Sequence, residues 1–424
     1  MNILCVADVS IASVIGGAER VLYEQCTGLV RRGHDVQILT RLLPNHACNI
    51  ELIDGVRERR YPVDRSNDIA FLFTSWRNSR KLFEKMCAAQ SFDCINFYQP
   101  FSALGVVSSQ DSETSWRIYT CLSLSFEEYI SRQACTSFSS LKVMSFANSW
   151  ARKWIEKRVL GKSDTIMVLS RYTRKTLWDA YRIPPPAIMV NAGGVDLQKF
   201  QPADDKLALR QRLGLADDKV IVFTVRNLVP RMGLENLLQA LHQVASRAPR
   251  LHLVIGGDGP LKESLSALMS ELGLSDRVRF EGFIQEEDLP NYYAMADLFV
   301  LPTRELEGFG LVTLESLASG VPVLGTPVGG TQEIMDGFDP GFLFEDTTPE
   351  SMAALILEKY RQITERQAEW IEISASCRQF VEENYSWEKN IDALENVLIT
   401  RSSKVRRRDS TSSAENEASP LDIQ

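Results

Sequence analysis

The stretch "PTRELEGFGLVTLES", Pro302 to Ser316, places Glu305, Glu307 and Glu315 among Gly308 and Gly310 directly after the apolar run Leu298–Leu301. A carboxylate beside a buried strand is unfavourable unless it is paired, solvated or used. Glu307 and Glu315 stand eight positions apart. If a helix begins at Leu311, Glu307 lies in the loop before it and Glu315 lies within it. The Gly-Phe-Gly segment lets backbone amides come close to a ligand, and the helix start that follows is an anion site. Amides for a phosphate and carboxylates for hydroxyls suit one ligand that carries both. Surface acids and a helix salt bridge are the alternative reading of the same residues.

Arg226 and Arg231 leave the apolar run Val220–Val225 just ahead of the amphipathic "LENLLQAL". Guanidiniums at such a junction bind phosphate oxygens in bidentate fashion, unless carboxylates or water take them. Gly256, Gly257 and Gly259 follow "LHLVI", Gly329 and Gly330 precede a helical stretch, and Gly16 and Gly17 open "GGAERV" near the N-terminus. One glycine cluster is only a turn. Several loops of this kind, each at the carboxyl end of a strand, point to one cleft that binds a nucleoside diphosphate carrying a sugar.

Short apolar runs alternate with amphipathic stretches along the chain, which predicts parallel sheets covered by helices. "NILCVAD", "DVQILT", "CINFY", "WRIYTC" and "TIMVLS" read as strands of a first unit, with a weaker rhythm between residues 45 and 90. Pro184, Pro185 and Pro186 read as a break. "KVIVFTV", "LHLVIGG", "VRFEGF", "DLFVLPT" and "VPVLGT" are the strands of a second unit. The expected architecture is α/β, with two doubly wound, Rossmann-like domains facing across a cleft. Residues 1–190 form the first, on the acceptor side, and 191–384 the second, which binds the nucleotide sugar. A helix at about 385–400 crosses back to the first. The polar, serine-rich 401–424, with Lys404, Arg406, Arg407 and Arg408, reads as a disordered tail.

With 424 residues, 44% of them hydrophobic and 24% charged, the chain has the composition of a globular protein of two or three domains. A net charge of -8 argues against nucleic acid as a partner. The eight scattered cysteines form no C-x-x-C pair and read as reduced thiols, which argues against zinc. No apolar run reaches the ~20 residues of a membrane span, and "MNILCVADVS" reads as a strand. The expectation is a cytoplasmic protein, at most peripheral at the inner membrane face. "SLKVMSFANSWARKWIEKRVLGK" mixes aromatic and basic residues, as an ordinary amphipathic helix or as one that rests on a membrane.

The order "GGAER", "RNLVPRMG", "GGDGP", "LPNYYAMADLFVLPT", E-G-F-G-L…E and "GVPVLGTPVGG" resembles the family-four glycosyltransferases with the GT-B fold. The resemblance spans residues 1 to about 400 and is strongest over 190–345. It implies a retaining transfer of sugar from a nucleotide donor, most often a UDP- or GDP-sugar, to a saccharide or glycolipid acceptor, in polysaccharide or glycolipid assembly, without a metal or other cofactor. It also implies site residues. Glu307 would hold donor-sugar hydroxyls, and the Gly308, Phe309, Gly310 and Leu311 backbone would meet the donor. Glu315 would hold the ribose. Arg226 and Arg231 would stabilise the departing diphosphate, which Gly16 and Gly17 approach from the first domain. Gly257 belongs to the donor side.

The sequence departs from the family pattern twice. Met232 stands where the family has a lysine, and Leu122 stands where it commonly has a histidine. Tyr98, Gln99 or Glu127 could line the acceptor side instead. Arg226 and Arg231 flank the lysine position and can supply its charge, and a retaining front-face transfer tolerates the missing histidine, because the leaving phosphate oxygen can itself take the acceptor proton. The alternative from another class is a catalytically weak or inactive GT-B partner of a second transferase. A GT-B epimerase lacks this order of motifs.

Overall fold

The computed structural model describes residues 1–13, 16–133 and 139–400, with side chains left aside at 132–133 and 139–147. The tail 401–424 lies outside the described residues.

Thirteen strands form two sheets. The first sheet holds β1 (Asn2–Val6), β2 (Asp35–Arg41), β3 (Ile50–Ile53), β4 (Val56–Tyr61), β5 (Cys94–Phe97), β6 (Trp116–Cys121), β7 (Thr165–Val168) and β8 (Ile188–Val190). Its order is β3-β4-β2-β1-β5-β6-β7-β8, and every pair is parallel except β3 with β4. That exception is a tight hairpin. Asp54 and Gly55 both take positive φ, 46° and 84°, as a two-residue turn of the primed kind requires. The second sheet holds β9 (Val220–Val225), β10 (Leu251–Gly256), β11 (Val278–Gly282), β12 (Leu298–Leu301) and β13 (Val323–Gly325), all parallel, in the order β11-β10-β9-β12-β13.

Strands buried on both faces need no polar alternation. In β1, Ile3 and Cys5 join one core cluster and Leu4 and Val6 the other, on the opposite face of the sheet. The order reverses between β1 and β5 in the first sheet and between β9 and β12 in the second. Open α/β sheets bind ligands beyond the strand ends at such switch points. The loops carrying Gly16–Gly17, Arg226 and Glu307 follow β1, β9 and β12 respectively.

The break expected at the three prolines lies elsewhere. They precede β8, which still pairs with β7, and the chain crosses to the second sheet after it. Helices Pro349–Glu365 and Gln367–Asn384 come next, and the chain returns where Val195 N donates to Tyr385 O at 3.2 Å. Residues 387–400 are helical. Ile391 there fills the space left by Gly28, where a methyl group would overlap it. Asn390 accepts from Gln25 Nε2 at 2.8 Å and donates to Ala192 O at 2.8 Å, and Glu395 pairs with Arg32 and His34, each at 2.8 Å.

Candidate functional site

The E-x7-E loop folds as its sequence asks. Gly310, at φ 91°, is the N-cap of helix Leu311–Ala318, and no side chain caps it. A residue with a Cβ is disfavoured at that φ, and one here would also press on Thr331 Oγ1. Gly16 is likewise the N-cap of helix Gly17–Arg31, again without a side-chain cap. A methyl at Gly17 would sit 3.6 Å from Leu311 Cδ1. Two helix N-termini, one from each domain, therefore meet; the Glu19 carboxylate takes the Gly16 and Glu19 amides of the first, and no N-cap side chain covers the second. Their positive ends converge on the same space.

Glu307 and Glu315 have different surroundings. Glu307 pairs with Arg226 and accepts from Thr303 Oγ1 at 3.2 Å. Arg226 also touches Thr303 Oγ1 at 3.1 Å and Met232 Sδ at 3.0 Å, while its buried Nε has no partner among the described residues. Arg231 Nη1 donates to Leu306 O at 2.9 Å. Leu306 itself has φ 61°, unusual for a branched residue, so the arginine holds the loop in a strained turn. Glu315 is buried and accepts from Tyr293 OH at 2.8 Å. Burial raises its pKa, and the nearby Arg20 charge and the Tyr293 hydrogen bond oppose that rise.

Gly257 lies behind Arg226. At φ 113°, it lets its loop close on the Arg226 carbonyl, where a methyl would collide. Gly329 and Gly330 pass equally close to Glu307 and Phe309, and Gly330 N donates to Glu307 O at 2.9 Å. Phe309 is buried against Gly193 and Tyr385.

The first domain meets this loop directly. Gly308 O accepts from Ser170 Oγ at 2.6 Å and from Thr173 Oγ1 at 3.2 Å. Glu333 accepts from Arg171 N at 2.9 Å and also from Tyr172 N, so a second-domain carboxylate caps the first-domain helix Arg171–Tyr181. A methyl at Gly308 would stand 2.6 Å from Leu122 O. Leu122 thus offers backbone, not an imidazole, to the loop. Beneath it, Glu156 accepts from Tyr181 OH at 2.6 Å, Tyr119 OH at 3.2 Å and Ser125 N at 3.3 Å. Burial pushes Glu156 up to about 7 against those hydrogen bonds. Glu127 is raised too, by burial first and by the Glu305 charge among lesser causes. Tyr98 does not line the cleft. It is buried, hydrogen-bonded to Gln25 and Asn96, and Gln99 holds Asp8 N.

Sequence reading missed several cleft residues. Arg20 pairs with Glu286 across the domains, and Lys199 pairs with the same carboxylate oxygen. A signal existed: a cation in the first turn of a helix opposes the dipole, so a tertiary acid must hold it. Ser170, Thr173 and Glu333 carried no such signal.

Residues 205–376 match the family described as "Glycosyl transferases group 1", and residues 15–199 match the one described as "Glycosyltransferase Family 4". The chain is 39% identical over 189 residues to the GDP-mannose-dependent alpha-(1-6)-phosphatidylinositol monomannoside mannosyltransferase of Mycolicibacterium smegmatis, covering 43% of this chain and 49% of that protein. It is 32% identical over 250 residues to the GDP-mannose-dependent monoacylated alpha-(1-6)-phosphatidylinositol monomannoside mannosyltransferase of Corynebacterium glutamicum, covering 57% of this chain and 64% of that protein. The matched region thus spans about half to two thirds of these relatives. The fold is that of sucrose-phosphate synthase from Thermosynechococcus elongatus, with a TM-score of 0.79 and 22% identity over 94% of this chain and 99% of that one.

Proposed function

The chain belongs to the family-four glycosyltransferases of GT-B fold, and from that premise we propose that it is a retaining transferase. It moves a sugar from a nucleoside diphosphate donor to a lipid-linked or saccharide acceptor. The observation that carries this reading is the glycine-capped N-terminus at Leu311, met by the helix start at Gly17 and standing beside the Arg226–Glu307 pair.

Each group then has a task. The Leu311 N-terminus takes the diphosphate, with the Gly16–Gly17 backbone approaching from the first domain, and the Arg226 guanidinium offsets the charge that grows as the sugar leaves. Arg231 holds the loop carrying Glu307 and adds positive charge. Glu307 exchanges part of its pairing with Arg226 for donor-sugar hydroxyls. Glu315, reached through the helix behind the loop, takes the ribose hydroxyls. Gly257 shapes the Arg226 loop from behind. No side chain near Leu122 is needed as a base, because the departing phosphate oxygen can accept the acceptor proton on the same face. GDP-mannose is the first donor to test and a phosphatidylinositol glycoside the first acceptor class, since the Mycolicibacterium and Corynebacterium relatives bear those names.

No helix of the described residues is long and apolar enough to cross a membrane. Trp150 and Trp154, 64% and 48% exposed on helix Ser139–Lys162 beside Lys153, Lys157 and Arg158, would give peripheral contact with a lipid surface bearing the acceptor. Cosedimentation with anionic phospholipid vesicles should fall in a Trp150→Ala/Trp154→Ala double variant.

The test of the reaction is nucleoside diphosphate release from a panel of UDP-, GDP- and ADP-sugars, without acceptor and then with phosphatidylinositol glycosides. Turnover of one donor supports the reading. No turnover, with no nucleotide raising the Tm, would instead support the non-catalytic partner that Met232 and Leu122 suggest.

A further inference from the structure

Glu315 is enclosed by groups from three parts of the chain. Tyr293 OH donates to it, and the Tyr293 ring stands edge-on to Phe200, 5.7 Å between centroids. Lys199, next in the chain, shares Glu286 with Arg20. Only Arg20 in this ring comes from the first domain, one turn after the Gly16–Gly17 loop. Its side chain is 11% exposed. It is held to the second domain through Glu286, its helix start lies against Leu311 at the start of the helix that carries Glu315, and its charge acts on a carboxylate that has no cation hydrogen-bonded to it among the described residues.

We propose that Arg20 is a positioning residue of the donor site, which couples closure of the first domain to the charge and setting of Glu315. This rests on the reading of Glu315 as the ribose ligand. A carboxylate accepts two ribose hydroxyls best when ionised. Burial works against ionisation, Arg20 and Lys199 work for it, and the negative charge of Glu286 works against it by repulsion. Glu24 also lies in the field of Arg20 and Lys199, and Asp196 acts on Glu24. The arrangement therefore has a sign. Removing Arg20 must hinder Glu315, and removing the charge of Glu286 must help it.

The test measures GDP and UDP affinity by calorimetry on the full chain between pH 5 and 8, for the wild type, Arg20→Met, Arg20→Lys, Glu286→Gln and Glu315→Gln. With the better nucleotide, Arg20→Met should bind about tenfold more weakly at pH 7, with its acidic limb moved to higher pH by about one unit. Arg20→Lys should recover part of both. Glu286→Gln should move the limb the other way, to lower pH. A packing role would produce no opposed shifts, and Glu286→Gln still decides the matter if Arg20→Met does not fold. Unmoved limbs, or limbs that move in the same direction, in variants whose Glu315→Gln counterpart loses affinity would overturn the coupling alone. Unchanged affinity in Glu315→Gln would overturn the ribose reading and the coupling with it.

Discussion

The two walls of the cleft are built differently. The second-domain wall presents charge: Arg226, Arg231, Glu307 and Glu315 sit on loops and one helix start beyond β9 and β12. They hold each other through direct contacts, as in Arg226 with Glu307 and Arg231 with Leu306 O. Around Gly308, the first-domain wall offers mainly amides, hydroxyls and carbonyls, from the Gly17 helix start, Ser170, Thr173 and the Leu122 backbone, with Arg20 as its charged group toward Glu315. Its own charged support is hidden beneath, at Glu156. A wall that must stabilise a leaving diphosphate needs fixed charges. The wall opposite serves through backbone placement, with Leu122 O set against Gly308.

The largest effect should come from Glu307→Ala, which breaks the charged wall. Arg226 would then be buried without a carboxylate, at a cost of about 3 kcal/mol. Turnover should fall by a factor of about 100 or more, with a lower Tm in calorimetry. If turnover survives while Tm falls, Glu307 is a structural partner of Arg226 only. Glu315→Ala comes next. Nucleotide affinity should drop about 30-fold by calorimetry, from the loss of charge-assisted hydrogen bonds, while the circular dichroism spectrum is retained.

Glu156→Gln addresses the support of the neutral wall. A carboxyl held near 7 keeps its proton in the folded state over a range where the unfolded chain, near the ordinary value of 4.5, has lost it. The folded state then binds more protons, so its stability falls as pH rises between those values and is constant above them. Glutamine cannot ionise, so the variant should lose stability less steeply between pH 5 and 8, by about 1–3 kcal/mol. Parallel curves for the two proteins would remove Glu156 as the cause. The smallest effect is expected from Gly308→Ala. Its methyl would press on Leu122 O and hold the walls a little apart, lowering kcat about fivefold with nucleotide affinity unchanged. An equal loss in both would place Gly308 in the nucleotide site, not at the contact between walls.

The contrast also explains what could be read early. Strands β9 to β13 were legible because each is an apolar run followed by glycine or a charged turn, and the E-x7-E loop was legible because Gly310 needs its φ and the helix follows at once. The β3–β4 hairpin was passed over although Asp54-Gly55 marks it. Its strand "VRERRY" is rich in charge, and Glu58 and Arg60 are buried as a pair, with Glu51 and Cys48 O on the arginine and Ser10 Oγ and Ile11 N on the glutamate. Tyr98 looked like a cleft residue because it ends a strand. Its partners, Gln25 and Asn96, turn it inward.

The sequence by itself therefore determined the two parallel sheets, the placing of the charged loops after their strands and the glycines those loops require, because periodicity, turn chemistry and capping act over a few residues. Only the tertiary structure decided that Arg226 would meet Glu307, that Glu333 would cap a helix of the other domain and that Arg20 would reach Glu286. Those contacts join residues 81, 162 and 266 positions apart. Nothing local selects between one acid and another at such separations. The choice is made when each domain folds and the two pack together, and each buried charge must find a partner.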